Sequence, residues 1–383
     1  MGERKCIGII YYYNEGWIGG TYYIENIIAA LNSLDDKEKP FLKIFTSTKD
    51  EYDGLIEKLA YPYAQYISSN VNYNLIERIT NKIGRALLKK NIFVKKAEDD
   101  SFDFIFPNPG HSFFSSISET KKVYWIPDFQ EDYLPQFFSE EELMIRKNSQ
   151  KKLANNAKYV IFSSRDACED FKRLYPDSNV QKIVLPFAVR PGINLDEKKS
   201  NEIVLKYKIT KPFLLIPNQL WIHKNHKTVI YAAKILADQR NPIQFIFSGK
   251  NSDFRFPDYP QELYNLVESL NLSGSVKFLG FIPKDDLSAL MQHSLAIIQP
   301  SLFEGWSTVV EEAKCMNKFI FASNIPIHLE QLEKYPNKTH FEKESSEALV
   351  KAIYQFWTDP PCIEKYDYET DFINFGKAII KLI

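Results

Sequence analysis

The chain has 383 residues, with 48 Lys and Arg against 49 Asp and Glu, and 44% hydrophobic residues. A net charge of -1 gives no bulk positive field for a nucleic acid, and this apolar content fills sizeable cores in roughly two to three domains. Four cysteines (Cys6, Cys168, Cys315, Cys362) show neither C-x-x-C nor metal-ligand spacing, which fits a reducing cytoplasm with Cys6 and Cys315 as small core residues.

The opening MGERKCIGIIYYY has an apolar run too short to span a membrane and no cleavage site, so it reads as a first strand and not a signal peptide. Apolar runs at 7–13, 41–45, 102–106, 123–126, 159–162 and 183–187 predict strands in the first half. A helix is expected from about Thr21, with Ile24, Ile27, Ile28 and Leu31 on one face. Ahead of it, in N-E-G-W-I-G-G-T, Gly19 and Gly20 allow positive φ and close backbone approach, suited either to a diphosphate or to a purely conformational turn. Their spacing from Gly16 is not G-x-G-x-x-G, and no acidic residue closes the following strand, which argues against an NAD enzyme. Another helix starts at Ser139, with Ser139 and Glu142 as a capping box. Charged residues and Arg-Pro-Gly interrupt the apolar pattern at 189–200. This divides the chain into domains 1–195 and 196–383, with the last helical segment a candidate to pack back on the first. Strands at 213–217, 245–247, 276–279, 295–299 and 319–322 alternate with helices in the second half. The fold class is α/β, two Rossmann-like parallel-sheet halves with ligands at the carboxyl ends of their strands.

The most informative stretch is 295–323. Thr308 and Glu311 form a Thr-x-x-Glu box that starts a helix near Thr308, and Glu311 is assigned to capping alone. Glu304 then lies in the loop ahead of the helix and Glu312 in its first turns. The amides of Gly305, Trp306, Ser307 and Thr308 face the mouth between them, an anion site flanked by two hydroxyl-binding carboxylates. The alternative is a surface helix with ordinary acidic residues. After the strand at 213–217, I-P-N-Q-L-W-I-H-K-N-H places Lys224 in a loop, as a ligand cation or a solvated lysine. His223 and His226 lack a partner cluster for a metal and read as loop or capping residues. V-Y-W-I-P-D-F-Q delivers Asp128 and Gln130 at a strand's carboxyl end, and no D-x-D triplet occurs anywhere.

E-G-W-S-T-V-V-E-E-A, with its flanking strand, Ala313 and the following S-N-I-P-I-H-L-E, resembles the E-x7-E signature of retaining GT-B glycosyltransferases of family four, the glycosyl transferases group 1. The two glutamates are Glu304 and Glu312, and Trp306 and Ser307 depart from the usual E-G-F-G-L-P. The resemblance implies a GT-B fold, two Rossmann-like domains facing a central cleft. It also implies retaining transfer from a nucleotide diphosphate sugar to a saccharide acceptor, with no cofactor, and the lack of a D-x-D triplet predicts that this transfer needs no metal. Glu312 would take the ribose hydroxyls and Glu304 those of the transferred sugar. Gly19 and Gly20 would meet the donor phosphates and sugar, and Lys224 the diphosphate, with Gln219 where an arginine usually stands. F-L-G-F-I-P-K-D-D-L resembles the nucleobase turn, with Phe281 and Ile282 along it. Asp128, after Pro127 in place of the usual His, would orient the acceptor; His111 in N-P-G-H-S is a rival, and loop capping is the other role open to Asp128.

Between 75 and 96, Leu75, Ile79, Ile83 and Leu87 recur every fourth residue beside Arg78, Lys82, Arg85 and Lys89. That pattern makes a basic amphipathic helix, either lying on an anionic membrane surface or burying its stripe in the core. The first choice suits a lipid-linked saccharide acceptor in surface polysaccharide assembly, with the protein peripheral on the inner face of the membrane. Two other classes stay open: a sugar-nucleotide enzyme such as an epimerase, and a catalytically silent GT-B binding module.

Overall fold

The computed structural model describes residues 4–13, 18–70, 75–88, 92–93, 96–97, 101–107, 112–191 and 196–382. They fall into two compact units, one formed by Met1–Pro127, Met144–Arg190 and Phe372–Ile383, the other by Asp128–Leu143 and Pro191–Asp371. Among the described residues no helix is long and apolar enough to cross a membrane.

In the first unit, β1 (Cys6–Ile10), β2 (Phe41–Thr46), β3 (Ala64–Ser68) and β4 (Phe104–Phe106) form a parallel sheet in the order β3-β2-β1-β4. β5 (Val123–Ile126), β6 (Tyr159–Phe162) and β7 (Gln181–Val184) form a second parallel sheet, joined to the first by one bridge between Ile105 and Lys122. Strands covered on both faces read as unbroken apolar runs, as F-I-F does in β4. The helix Ile18–Asn32 buries Ile24, Ile27, Ile28 and Leu31, its expected face. On that face Tyr23 stacks on Trp125, ring centres 4.2 Å apart, and meets Phe187 edge-on. The stretch Phe372–Ile383 packs on the same helix: a Cβ on Gly376 would lie 2.5 Å from Ala30 O, and Lys5 Nζ donates to Ile380 O.

The second unit has one parallel six-stranded sheet in the order β10-β9-β8-β11-β12-β13. Its strands are β8 (Phe213–Ile216), β9 (Gln244–Phe247), β10 (Val276–Phe278), β11 (Ala296–Gln299), β12 (Ile320–Ser323) and β13 (Lys338–Phe341). Alternate residues build two cores, Leu214, Ile216, Phe245, Phe247 and Phe321 in one, Leu215, Ile246, Ile297 and Ile320 in the other. Each such side chain, fully buried, contributes about 1.5–3 kcal/mol. Asp128–Leu143 is held here through Phe137 edge-on to Phe256 and through Glu142 Oε1 accepting from Arg255 Nη2 at 3.3 Å.

Several expectations need correction. The first helix begins at Ile18, so Gly19 and Gly20 lie inside its first turn and supply no loop with positive φ. β7 ends at Val184, ahead of the expected strand's end, because Pro186 has no N–H for the ladder. β3 and β13 were not anticipated: A-Q-Y-I-S and K-T-H-F sit at sheet edges, half-exposed, and carry little apolar pattern. Cys6 and Cys315 are only half-buried, and Cys168 is the buried thiol. The Ser139–Glu142 box forms as expected, each amide bonded to the other's side chain.

Candidate active site

β8 and β11 are neighbours, yet the chain leaves β8 toward β9 and β10 and comes back to β11 before running to β12 and β13. Such a reversal opens a crevice at the carboxyl ends of the two strands, where open α/β sheets hold ligands. The loops after β8 and β11 are stitched together there. Leu302 N donates to His223 O at 2.8 Å, and Asn225 Nδ2 to Pro300 O at 3.1 Å.

Lys224 closes a short 3-10 turn, Ile222–Lys224, in the loop after β8, and Glu304 lies in the loop after β11. Lys224 Nζ donates to Glu304 Oε1 at 2.6 Å. The same oxygen accepts from Ser301 Oγ at 2.6 Å and Gln299 Nε2 at 2.8 Å, and Gln299 Oε1 accepts from Asn218 Nδ2 at 3.0 Å. All three bonds to Glu304 fall on Oε1. Burial pushes the Glu304 carboxyl up, but the Lys224 ammonium, as charge and as donor, leads the groups that outweigh it and hold the pKa at about 2. Glu304 is therefore ionised at neutral pH. Burial pushes the imidazoles of His223 and His226 down to about 3 and of His328 to about 4, so all three are neutral.

The helix following Glu304 is Thr308–Cys315, and its cap is Ser307, whose Oγ accepts from Val310 N. The expected Thr308–Glu311 box does not form. Glu311 is buried instead, accepting from Lys314 Nζ at 3.1 and 3.2 Å, Gln331 Nε2 at 2.8 Å and Tyr368 OH at 2.9 Å. The Ser307 amide is not open to a ligand either, because it donates to Gln331 Oε1 at 3.2 Å. The amides of Gly305 and Thr308 bond to none of the described residues. Glu312, one turn into the helix, pairs with Lys284.

The remaining candidates are spread more widely. Gln219 is half-buried just after β8. Gly249, after β9, holds φ +149° with its Cα against the same loop: a Cβ there would sit 2.2 Å from Asn218 O and 2.7 Å from Gln219 N. Phe281 is 78% exposed, whereas Ile282 is buried with Leu290 and Met291, so its side chain is not free to line a nucleobase pocket. Asp128 Oδ1 accepts from Gln130 N at 3.1 Å, closing its own turn. Gly19 and Gly20 belong to the first unit. His111 lies outside the described residues. Among those described, no three His, Cys, Asp or Glu side chains gather to hold a metal.

Sequence reasoning missed Asn218, Gln299, Ser301 and Gln331. A signal existed for Gln299, a polar residue closing the apolar run L-A-I-I-Q; for Gln331, far along the chain from Ser307, there was none.

Residues 197–377 match the family model described as glycosyl transferases group 1. The O-antigen chain mannosyltransferase RfbU of Salmonella typhimurium is 25% identical over 237 residues, 54% of this chain and 64% of that protein, so the match spans less than two thirds of the relative. The crystal structure of Anabaena Alr3699/HepE in complex with UDP and glucose superimposes with a TM-score of 0.66 at 17% identity, covering 99% of this chain and 95% of that one. A glycosyltransferase from Rickettsia africae ESF-5 gives 0.65 at 15% identity, covering 100% and 93%. Residues 197–377 thus resemble the glycosyl transferases group 1 family, and the chain shares the GT-B fold of these solved structures.

Proposed function

We propose that this chain moves a sugar, with retention of anomeric configuration and without a metal, from a nucleotide diphosphate sugar to a saccharide acceptor. The Lys224–Glu304 pair at the carboxyl ends of β8 and β11 carries this reading. An ammonium fixed by an ionised carboxylate at a strand-order reversal is oriented in advance, and its N–H donors not spent on Glu304 offset charge developing on a departing diphosphate. Gln219 and the amides of Gly305 and Thr308 add donors to the diphosphate, with Trp306 beside them in the turn. Glu304 takes hydroxyls of the transferred sugar, Glu312 those of the ribose, and Phe281 lies along the base. Asp128 orients the acceptor. The acceptor oxygen attacks the anomeric carbon on the face that the phosphate leaves; the carbon–phosphate-oxygen bond breaks, and the acceptor's proton passes to that oxygen.

The likeness to an O-antigen mannosyltransferase supports a surface polysaccharide as product and a lipid-linked saccharide as acceptor. A structural neighbour with UDP and glucose bound supports the donor class. The helix Leu75–Leu88 supports work at the inner membrane face: Leu75 and Ile76 are each 72% exposed, Ile79 52% and Ile83 51%, with Arg78 and Lys82 exposed as well. Asn81 grips both backbone groups of Phe93, at 2.7 and 2.9 Å, which sets the exposed Ile92 and Phe93 beside that helix. A basic surface with this much bare apolar area suits an anionic bilayer.

Retention is tested by proton NMR of donor hydrolysis, water standing in for the acceptor. From an α-linked UDP- or GDP-sugar, the first-formed free sugar is the α anomer; the β anomer appearing first contradicts the mechanism.

A further inference from the structure

We infer that Gln331 is a positioning residue for the donor turn. This rests on the reading that the turn after Glu304 receives the donor diphosphate, and it names the residue that fixes that turn before the donor arrives.

Gln331 ends the helix Pro326–Gln331 and is almost fully buried. Its carboxamide grips the two peptide groups that flank the Ser307 Cα: Oε1 accepts from Ser307 N at 3.2 Å, and Nε2 donates to Ser307 O at 2.8 Å. Nε2 also donates to Glu311 Oε1 at 2.8 Å. Glu311 is a carboxylate already taking Lys314 and the Tyr368 hydroxyl, so it accepts only. That contact sets which end of the carboxamide is nitrogen. A flipped amide would turn its NH2 against the Ser307 N–H and its oxygen against both Ser307 O and Glu311. The orientation is thus imposed from Glu311, and both peptide planes flanking the Ser307 Cα follow it.

Ser307 stands between Gly305 and Thr308, whose amides bond to none of the described residues, and it caps the helix that begins at Thr308. Holding Ser307 O aims the Thr308 N–H, which shares its peptide plane, and holding both planes limits the φ and ψ open to the turn that carries Glu304. A ligand meeting amides already aimed at it does not lose affinity to ordering them. The Ser307 amide itself takes no part in binding.

The test uses the full chain, UDP and GDP as probes, and the variant Gln331→Met, which keeps the side-chain length and removes every hydrogen bond. Calorimetry is expected to show the nucleotide Kd raised ~10-fold, the loss of about one fixed hydrogen-bonded peptide. KM for the donor rises with it and kcat changes less. Ile353→Val, a truncation in the core that also holds Leu214, Phe245 and Phe321, lowers the melting temperature and leaves the Kd as in the wild type, separating positioning from stability. In the wild type, hydrogen exchange adds a readout that needs no variant. The Ser307 amide is protected with and without nucleotide, and the Thr308 amide gains protection only with it. Wild-type binding with an unchanged Kd in folded Gln331→Met, or a Ser307 amide protected only by nucleotide, overturns the role of Gln331. A wild type that binds neither nucleotide removes the donor reading, and the assignment of Gln331 falls with it.

Discussion

Lys224 Nζ and Glu304 Oε1 lie 2.6 Å apart, with only 15% and 8% of their side chains exposed, at the ends of two adjacent strands that the chain visits far apart in sequence. A buried ion pair is weak evidence of stability, because desolvation offsets its attraction, but leaving one partner alone costs about 3–5 kcal/mol. Lys224→Met is therefore expected to destabilise the fold by that amount, measured by urea unfolding. Adding Glu304→Gln should recover much of the loss, since no orphan charge remains. Equal destabilisation by the single and double variants would show that the pair is not coupled. Donor turnover in Lys224→Met should fall ~10²–10³-fold, the usual effect of removing one preorganised donor at a developing negative charge.

Acid should unfold the protein early, and the sign follows from the buried imidazoles. His223 and His226 sit near 3 and His328 near 4, against 6.5 in an unfolded chain. Above pH 6.5 both states hold these rings neutral and nothing is lost. Below it the unfolded chain takes up protons that the native rings refuse, so stability falls by about 1.4 kcal/mol per pH unit for each ring. Together that approaches ~4 kcal/mol per unit between pH 6 and 4. Glu304, held near 2 against 4.5 unfolded, adds a loss in the same direction only below pH 4.5. Unfolding midpoints at pH 7.5, 6 and 5 measure this, and His226→Phe should remove about a third of the slope. A stability independent of pH from 7 to 5 contradicts the burial of these rings as neutral groups.

Gly249 should not tolerate a side chain. At φ +149°, a Cβ 2.2 Å from Asn218 O forces the loop after β8 to move, and Asn218 is the residue that holds Gln299 on Glu304. Gly249→Ala is expected to cost at least ~1 kcal/mol of stability and to weaken nucleotide binding together with it. Wild-type melting and binding in this variant would mean the two loops are not in register as described.

The helix Leu75–Leu88 gives a separate test. Flotation with vesicles of anionic lipid should retain the wild type, each basic residue near the surface contributing about 1 kcal/mol. Charge reversal at Arg78, Lys82, Arg85 and Lys89, the last of which lies outside the described residues, should release it. Flotation of both alike ends the membrane reading without touching the donor site.

Much of this was legible in the chain, and the reasons differ by residue. The central strands of both units are buried on both faces, so they stand out as apolar runs; Glu304 and Lys224 were singled out through the resemblance to the E-x7-E signature, and the structure sets their side chains against each other. Edge strands β3 and β13 were hidden by their polar composition. Glu311 looked like a capping residue because spacing alone cannot show that Gln331, Lys314 and Tyr368 converge on it. The same blindness to distant partners hid the double grip of Gln331 on Ser307. Gly19 and Gly20 misled for a local reason: the helix starts earlier than its apolar face does.

The account stands on the Lys224 ammonium and the amides of Gly305 and Thr308 forming one diphosphate site, and a crystal structure with UDP or GDP tests that most directly. The nucleotide's phosphates are expected within hydrogen-bonding distance of Lys224 Nζ and the amides of Gly305 and Thr308, with the ribose at Glu312. Phosphates bound elsewhere, with Lys224 still closed on Glu304, would contradict it.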